Sequence, residues 1–292
     1  MLPFDLPPLD EHGPTPQWTG SGFLVGTETV PVLEYSENFC GWSDELTDLH
    51  EEAVNDGHPI DQASFADALE QVRRYAPGGK SVVLEIGCSS GYMLRKLRAE
   101  ARPGMVVIGS DIVKAPLYRL AAELPEIPLL RFDLLQCPLP DDCVDIVIML
   151  NVLEHIERDD LALEQVRRIL KPGGVLILEV PAGSRNYDAY DKALRHFRRY
   201  DAAGLGRKIK KAGLRLLRRS HLGFFIYPAF ALVKLWNRSS TLTEGEGLQL
   251  VKQQASYTAS SRGIRAAFRL EQWIGRCLSF PFGVRCLMVA QK

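Results

Sequence analysis

Two sets of side chains in this sequence stand at spacings that can do chemistry. The first is Glu85-Ile86-Gly87-Cys88-Ser89-Ser90-Gly91, which closes a run of apolar residues. A glycine at 87 lets the backbone approach a ligand with no Cβ in the way. Ser89 and Ser90 offer hydroxyls and backbone N–H groups, and a helix starting near Gly91 adds the unpaired donors and positive end of its first turn. A nucleotide-like ligand is therefore expected beyond the carboxyl ends of the strands. The dinucleotide fingerprint Gly-x-Gly-x-x-Gly fails, because Ser89 stands where the second glycine belongs; the phosphate loop Gly-x-x-x-x-Gly-Lys-Ser/Thr is absent too. Asp111 closes the next apolar run, with Ile112 beside it. A carboxylate at that strand tip can accept both ribose hydroxyls of an adenosine.

The second set is the histidines. His155 lies in Asn151-Val152-Leu153-Glu154-His155-Ile156, and His196 in Arg195-His196-Phe197-Arg198-Arg199-Tyr200. Both are candidate proton acceptors for a hydroxyl nucleophile. The plainer readings are a structural histidine at 155 and a loop-to-helix anchor at 196. Arg198 and Arg199 then form a solvated face or attract an anionic acceptor. His50 reads as a helix residue, and His12, His58 and His221 receive no role. None of the six cysteines sits in a Cys-x-x-Cys pair, so no zinc framework is expected. Free thiols in a reducing compartment are the expectation, with Cys88 and Cys286 inside core elements.

Positioning these groups requires a scaffold, and the apolar pattern supplies one. Short runs at 81–86, 105–110, 129–132, 144–150 and 175–180 alternate with helical stretches, most clearly 161–170. Continuous apolar strands separated by helices predict a parallel sheet covered on both faces. Helices are also predicted at 63–75, 201–212 and 264–278, a sixth strand at 214–217 and a last one at 283–290. Residues 1–30, rich in Pro, Gly and Thr, read as a loop-like arm.

The pattern Glu-x-Gly-x-x-x-Gly is joined by Arg131-Phe132-Asp133-Leu134, by Leu139-Pro140-Asp141-Asp142-Cys143-Val144-Asp145, by Leu153-Glu154-His155 and by Leu170-Lys171-Pro172-Gly173-Gly174. Together, over residues 81–182, these resemble the class I (Rossmann-like) S-adenosylmethionine-dependent methyltransferases of small-molecule type. The resemblance implies an α/β fold with a doubly wound, mostly parallel seven-stranded sheet and helices on both faces. An N-terminal helical lid and an insertion before the last strand would complete it. It implies S-adenosylmethionine as cofactor, held by Glu85, Gly87, Cys88, Ser89, Gly91, Asp111, Ile112, Asp133, Leu134 and Asn151. Asp133 would accept the adenine amino hydrogen, or else serve only as a turn cap. The backbone of Leu134 would meet the ring, and Asn151 would lie beside the methionine part. His155 falls near the methyl group and His196 next to the acceptor pocket, as catalytic candidates. Asn151 and Pro181-Ala182-Gly183 depart from the acidic cluster of catechol-type relatives, so no metal is expected. The Asn-Pro-Pro-Tyr mark of base-modifying relatives is absent as well.

The organisation expected is an arm and helical lid at 1–75, a methyltransferase core at 76–222, an insertion at 223–280 and a final core strand at 281–292. Tyr35, Phe39 and Trp42 are candidate lid walls. The insertion, with Gly223 to Phe230 at its start, would form an acceptor pocket, a homodimer surface or a membrane-resting face. The longest apolar run, of roughly 15 residues from Leu222 to Trp236, contains Pro228 and Lys234 and falls short of the about 20 needed to span a membrane. With a net charge of -1 and no basic bias, nucleic acid is not an expected partner. The N-terminus lacks the basic and apolar regions of a signal peptide, so the cytoplasm is the expected location. The function expected is methyl transfer to a small-molecule or saccharide-like acceptor at a hydroxyl. N- or C-methylation, a non-catalytic cofactor-binding protein and a nicotinamide-dependent oxidoreductase remain as alternatives.

Overall fold

The computed structural model describes residues 2–36, 58–237, 249, 261–275 and 277–292. Three short strands open the chain: β1 (Gln17–Trp18), β2 (Phe23–Val25) and β3 (Glu28–Val30), paired antiparallel in the order β1-β2-β3. β4 (Leu33–Glu34) and helix α1 (Pro59–Tyr75) follow. Next come β5 (Ser81–Ile86), α2 (Tyr92–Glu100), β6 (Met105–Asp111), α3 (Lys114–Glu123), β7 (Leu129–Arg131), β8 (Val144–Leu150) and α4 (Asp159–Ile169). The remainder is β9 (Leu170–Pro181), α5 (Ala189–Ala193), α6 (Ala202–Lys211), β10 (Arg215–Leu222), α7 (Tyr227–Asn237), α8 (Arg262–Gly275) and β11 (Arg285–Gln291).

The main sheet has the order β10-β11-β9-β8-β5-β6-β7-β4. All its neighbours from β9 to β4 pair parallel, while β11 runs antiparallel to β9 and to β10. After β5 the chain builds outward through β6 and β7, then returns to place β8 on the other side of β5. That reversal opens the crevice where open α/β sheets bind ligands.

Alternation along the strands sorts the core into two layers. Leu84 and Ile86 of β5, Val147 and Met149 of β8, and Leu178 and Val180 of β9 bury into one layer with Leu163 and Val166 of α4 and Ile209 of α6. Val83, Ile146, Ile148 and Ile177 bury into the opposite layer with Leu69 and Val72 of α1, Leu94 and Leu97 of α2, and Leu117 of α3. Each such aliphatic side chain, fully buried, contributes about 1.5–3 kcal/mol.

The sheet has eight strands where seven are expected. The extra edge strand is β4, whose Leu33 is wholly buried and whose register with β7 pairs Leu33 with Leu130. Within the arm, residues 17–30 likewise form a packed sheet rather than a loop: Phe23 is fully buried and its ring lies 4.8 Å from Trp18. Strands of two or three residues are too short to carry a readable period, which is why composition alone suggests a loop. Helix α1 starts at Pro59, four positions before the predicted start at 63, because proline is preorganised for a first helical position whose N–H is unpaired anyway. β10 runs on to Leu222, past the predicted strand at 214–217. Of the lid, residues 37–57, with Phe39, Trp42 and His50, lie outside the described residues.

Candidate active site

β5 ends at Ile86 and the chain turns sharply: Gly87, Ser89 and Gly91 all have positive φ, at 76°, 42° and 74°. Glycine is required at 87, since a Cβ there would come within 2.4 Å of Val152 Cγ2. The turn is pinned from β6. The carbonyl oxygen of Ser110 accepts the N–H groups of Gly87 at 2.8 Å and Cys88 at 3.0 Å. Asp111 then holds both flanks, its Oδ2 accepting from Ser89 N–H at 2.8 Å and its Oδ1 from Val113 N–H at 2.9 Å. Each carboxylate oxygen keeps a further lone pair, so the clamp that shapes the loop can still accept hydroxyls. Burial raises the Asp111 pKa, and the backbone N–H donors of Val113 and Ser89 pull against it.

Glu85, in β5 just before this turn, is 4% exposed, and its Oε2 has no hydrogen-bond partner. Burial, with the charge of Asp111 added, pushes its pKa well above the usual carboxylate range. An orphaned polar oxygen beside a glycine turn is the kind of group a polar cofactor satisfies, and it fits S-adenosylmethionine. Cys88 is buried and its thiol pKa is pushed well up by burial, which makes it a packing residue rather than a nucleophile.

The remaining cofactor candidates fall around this crevice. Ile112 follows Asp111 and its carbonyl oxygen accepts from Arg131 Nε at 3.0 Å. Asp133 caps the single 3-10 turn Leu134–Gln136, accepting from Leu135 N–H at 2.9 Å, while its own N–H donates to Ser36 Oγ at 3.0 Å. Leu134 is buried. Asn151 adopts a φ of 54°, donates its N–H to the Glu179 carbonyl at 2.9 Å, and so ties the end of β8 to β9. Tyr35 packs under the arm, its hydroxyl donating to the Pro7 carbonyl at 2.8 Å.

Beyond β8 the two candidate histidines come together. His155 ends a 3-10 turn, Leu153–His155, and its ring meets that of His196 edge-on at 4.7 Å between centroids. His196 is buried, and its Nδ1 lies 2.9 Å from Asp191 Oδ1. Burial lowers the His196 pKa despite the opposing pull of Asp191, so the imidazole is held neutral. Glu154 is wholly buried, and one of its carboxylate oxygens lies within 4.8 Å of a ring nitrogen of each histidine. Burial raises its pKa to about 8.

Two buried charge networks hold this end of the sheet, and neither is predicted from sequence. In the first, Asp191 accepts from Arg199 Nε at 2.8 Å and from Lys234 Nζ at 3.1 Å, while Lys234 also reaches Asp188 at 2.7 Å. Arg199 is therefore a buried, paired residue and not part of a solvated face. Lys234 comes from α7, so the insertion is bolted directly behind His196. In the second, Arg285 of β11 bridges Glu179 of β9 at 2.8 Å and Asp61 of α1 at 2.6 Å, with Ser64 Oγ donating to Glu179 at 2.7 Å. The one available signal was Lys234, a lone cation inside an otherwise apolar helix. For Arg285 and Asp61, far apart in sequence, no local signal exists.

Other described residues of the insertion pack through aromatics. Phe224 lies 5.0 Å from Phe280 and 4.7 Å from Phe282, and Glu271 of α8 accepts the N–H of Gly223 at 2.6 Å. A cavity of about 180 Å³ between α1, β10 and α8 is lined by Asp67, Arg73, Arg218, His221 and Phe280 and includes no predicted cofactor residue. Among the described residues, no helix is long and apolar enough to cross a membrane.

Comparison with known proteins bears on what this crevice holds. Residues 84–178 match the family model described as a methyltransferase domain. A probable S-adenosylmethionine-dependent methyltransferase of Mycolicibacterium smegmatis is 32% identical over 133 residues, which is 45% of this chain and 51% of that protein. The ubiquinone/menaquinone biosynthesis C-methyltransferase UbiE of Burkholderia mallei is 31% identical over 162 residues, 53% of this chain and 65% of that one. The chain thus spans about half the length of the first relative. Among solved structures, Haemonchus contortus phosphoethanolamine N-methyltransferase 2, in complex with S-adenosyl-L-methionine, superposes with a TM-score of 0.54 at 15% identity. That likeness covers 86% of this chain and 57% of the other and speaks to the fold alone.

Proposed function

We propose that this chain, whose residues 84–178 match a methyltransferase-domain family model, transfers a methyl group from S-adenosylmethionine to a hydroxyl of a small-molecule or saccharide-like acceptor. One observation carries the reading. Val152 packs against Gly87 of the Asp111-clamped turn, so the segment bearing Glu154 and His155 continues directly from the predicted cofactor crevice. When bound, the cofactor supplies a methyl group activated by its sulfonium. The chain's own work is orientation, exclusion of water and management of the acceptor's proton.

In this reading Glu85, Gly87, Cys88, Ser89 and Gly91 form the turn that faces the cofactor. Asp111 and Ile112 meet the ribose, Asp133 and Leu134 the adenine, and Asn151 the methionine end. His155, half-buried, faces the acceptor and takes its proton. His196 stands behind it, fixed by Asp191 in one orientation and kept neutral by burial. The arm and lid at 1–75 cover the core at 76–222, and the insertion at 223–280 walls the acceptor side. The support is the Lys234 anchor behind His196. The net charge of -1 and the five described cysteines, all free, fit a cytoplasmic enzyme with no nucleic-acid partner. The exposed Leu232, Val233 and Leu235 of α7 leave a homodimer surface open.

A second reading, C-methylation, draws on the 31% identity to UbiE, which is named a C-methyltransferase. The test is transfer of labelled methyl from S-adenosylmethionine to a panel of hydroxyl, amine and activated-carbon acceptors. Label on oxygen, with turnover falling at least tenfold in His155→Ala while cofactor affinity holds, supports the first reading. Label on carbon alone, at an unchanged rate in that variant, supports the second and removes His155 as the base.

A further inference from the structure

We propose that Glu154, His155 and His196 form a binding site for one divalent first-row transition-metal cation such as Zn²⁺, Co²⁺ or Mn²⁺. One ligand atom from each of the three lies within 4.8 Å of the others. The three come from two segments, the turn after β8 and the stretch after α5, so the convergence belongs to the tertiary fold and not to a local repeat.

Three observations support a cation there. First, Glu154 is 0% exposed and neither of its carboxylate oxygens has a hydrogen-bond partner. Nearby buried acids are served: Glu179 has Arg285, and Asp188 and Asp191 have Lys234. Burying a carboxylate without a counter-charge costs several kcal/mol, so something must neutralise it. Second, His196 Nδ1 is already committed to Asp191, which leaves Nε2 to face the cluster. A carboxylate that fixes the tautomer of an imidazole through its far nitrogen is the usual support behind a metal-binding histidine. Asp191 is itself held by Arg199 and Lys234, which makes that support rigid. Third, the donor set of two imidazole nitrogens and one carboxylate oxygen matches zinc, cobalt or manganese and is a poor set for calcium or magnesium.

Three protein donors leave coordination positions open, and His155 is the least buried of the three. The open side therefore faces the crevice, where an acceptor oxygen would take a vacant position; this last role rests on the methyltransferase reading. With the ion bound, His155 and His196 are ligands, so the cation replaces His155 in the proton-accepting role given above: a coordinated hydroxyl loses its proton to solvent because the cation lowers its pKa. The competing occupant is a proton on Glu154 itself.

The test uses the full chain after chelation, titrated by calorimetry with Co²⁺, Zn²⁺, Mn²⁺ and Mg²⁺, with visible absorption recorded for Co²⁺. The expected result is one Co²⁺ or Zn²⁺ per chain at micromolar or tighter dissociation constants, a Co²⁺ ligand-field band, and much weaker Mg²⁺ binding. His155→Ala and Glu154→Gln should each weaken Co²⁺ binding at least tenfold. His155→Ala changes the least buried ligand, so it remains informative if Glu154→Gln fails to fold. Absence of one-to-one binding of any of these ions at millimolar concentration overturns the proposal. So does Co²⁺ affinity that His155→Ala leaves unchanged. Binding of S-adenosylmethionine, measured on the same samples, separates loss of this site from failure of the cofactor reading.

Discussion

The two ends of the candidate site are held by different kinds of bond. Around the glycine turn, order comes from backbone N–H groups donating to nearby acceptors: Gly87 and Cys88 to Ser110, Ser89 and Val113 to Asp111. Around the histidines, order comes from buried ion pairs between distant segments: Lys234 with Asp188 and Asp191, Arg285 with Asp61 and Glu179. The first kind is local and individually modest, about 0.5–1.5 kcal/mol for each bond. The second is costly to assemble and costlier to break. Removing one partner strands a desolvated charge, at about 3–5 kcal/mol. Cofactor capture and fold integrity should therefore fail separately.

The largest effect belongs to Arg285. Arg285→Met should destabilise the fold by about 3–5 kcal/mol in denaturant unfolding, because Asp61 and Glu179 would lose their cation. A loss below about 1 kcal/mol would mean that the two acids are reprotonated at little expense. At the glycine turn, Gly87→Ala forces a side chain into a positive-φ position already crowded by Val152, and should cost about 1–3 kcal/mol of stability. The same variant should lose cofactor affinity; full affinity would show that the turn can relax.

Asp111→Ala removes the clamp on the glycine turn and leaves the buried ion pairs intact. It should weaken S-adenosylmethionine binding about 10- to 100-fold, about 1.4–2.7 kcal/mol, with a smaller change in unfolding free energy. Unchanged affinity would leave Asp111 as a loop anchor only. The smallest effect belongs to Glu34 on the added edge strand. Burial raises its pKa, but hydrogen bonds from Lys114, Tyr118 and Arg131 outweigh that and hold it at about 2, below the ordinary 4.5. Ionised Glu34 therefore stabilises the fold above pH 4.5, and the contribution fades as pH falls from about 4.5 to about 2. The ion pair is partly exposed, so solvent limits the effect to about 1 kcal/mol or less. Comparing the acid limb of the stability curve with that of Glu34→Gln isolates it.

The same division explains what the sequence made legible. The strands from Ser81 to Pro181 and the turn at Gly87 could be read because apolar periodicity and glycine placement are local properties. The eighth strand escaped notice because Leu33–Glu34 is two residues long and only tertiary contact, Leu33 against Leu130, makes it a strand. His155 and His196 were singled out separately, but their meeting at 4.7 Å was not foreseeable, since 40 residues of chain fold back to bring it about. Of the two readings open for Arg199, the solvated face fails: an Arg-Arg pair looks like surface until its buried partner Asp191 is seen. Glu154 lay in plain view beside His155, and only its complete burial without partners marks it as unusual.

The most direct test of the central claim is calorimetric titration of the full chain with S-adenosylmethionine, its demethylated product S-adenosylhomocysteine and NAD. Micromolar binding of the first two, at one site per chain and with no heat from NAD, is the predicted result. Binding of NAD alone, or of none of the three, would contradict it and return the Asp111-clamped glycine turn to a purely structural role.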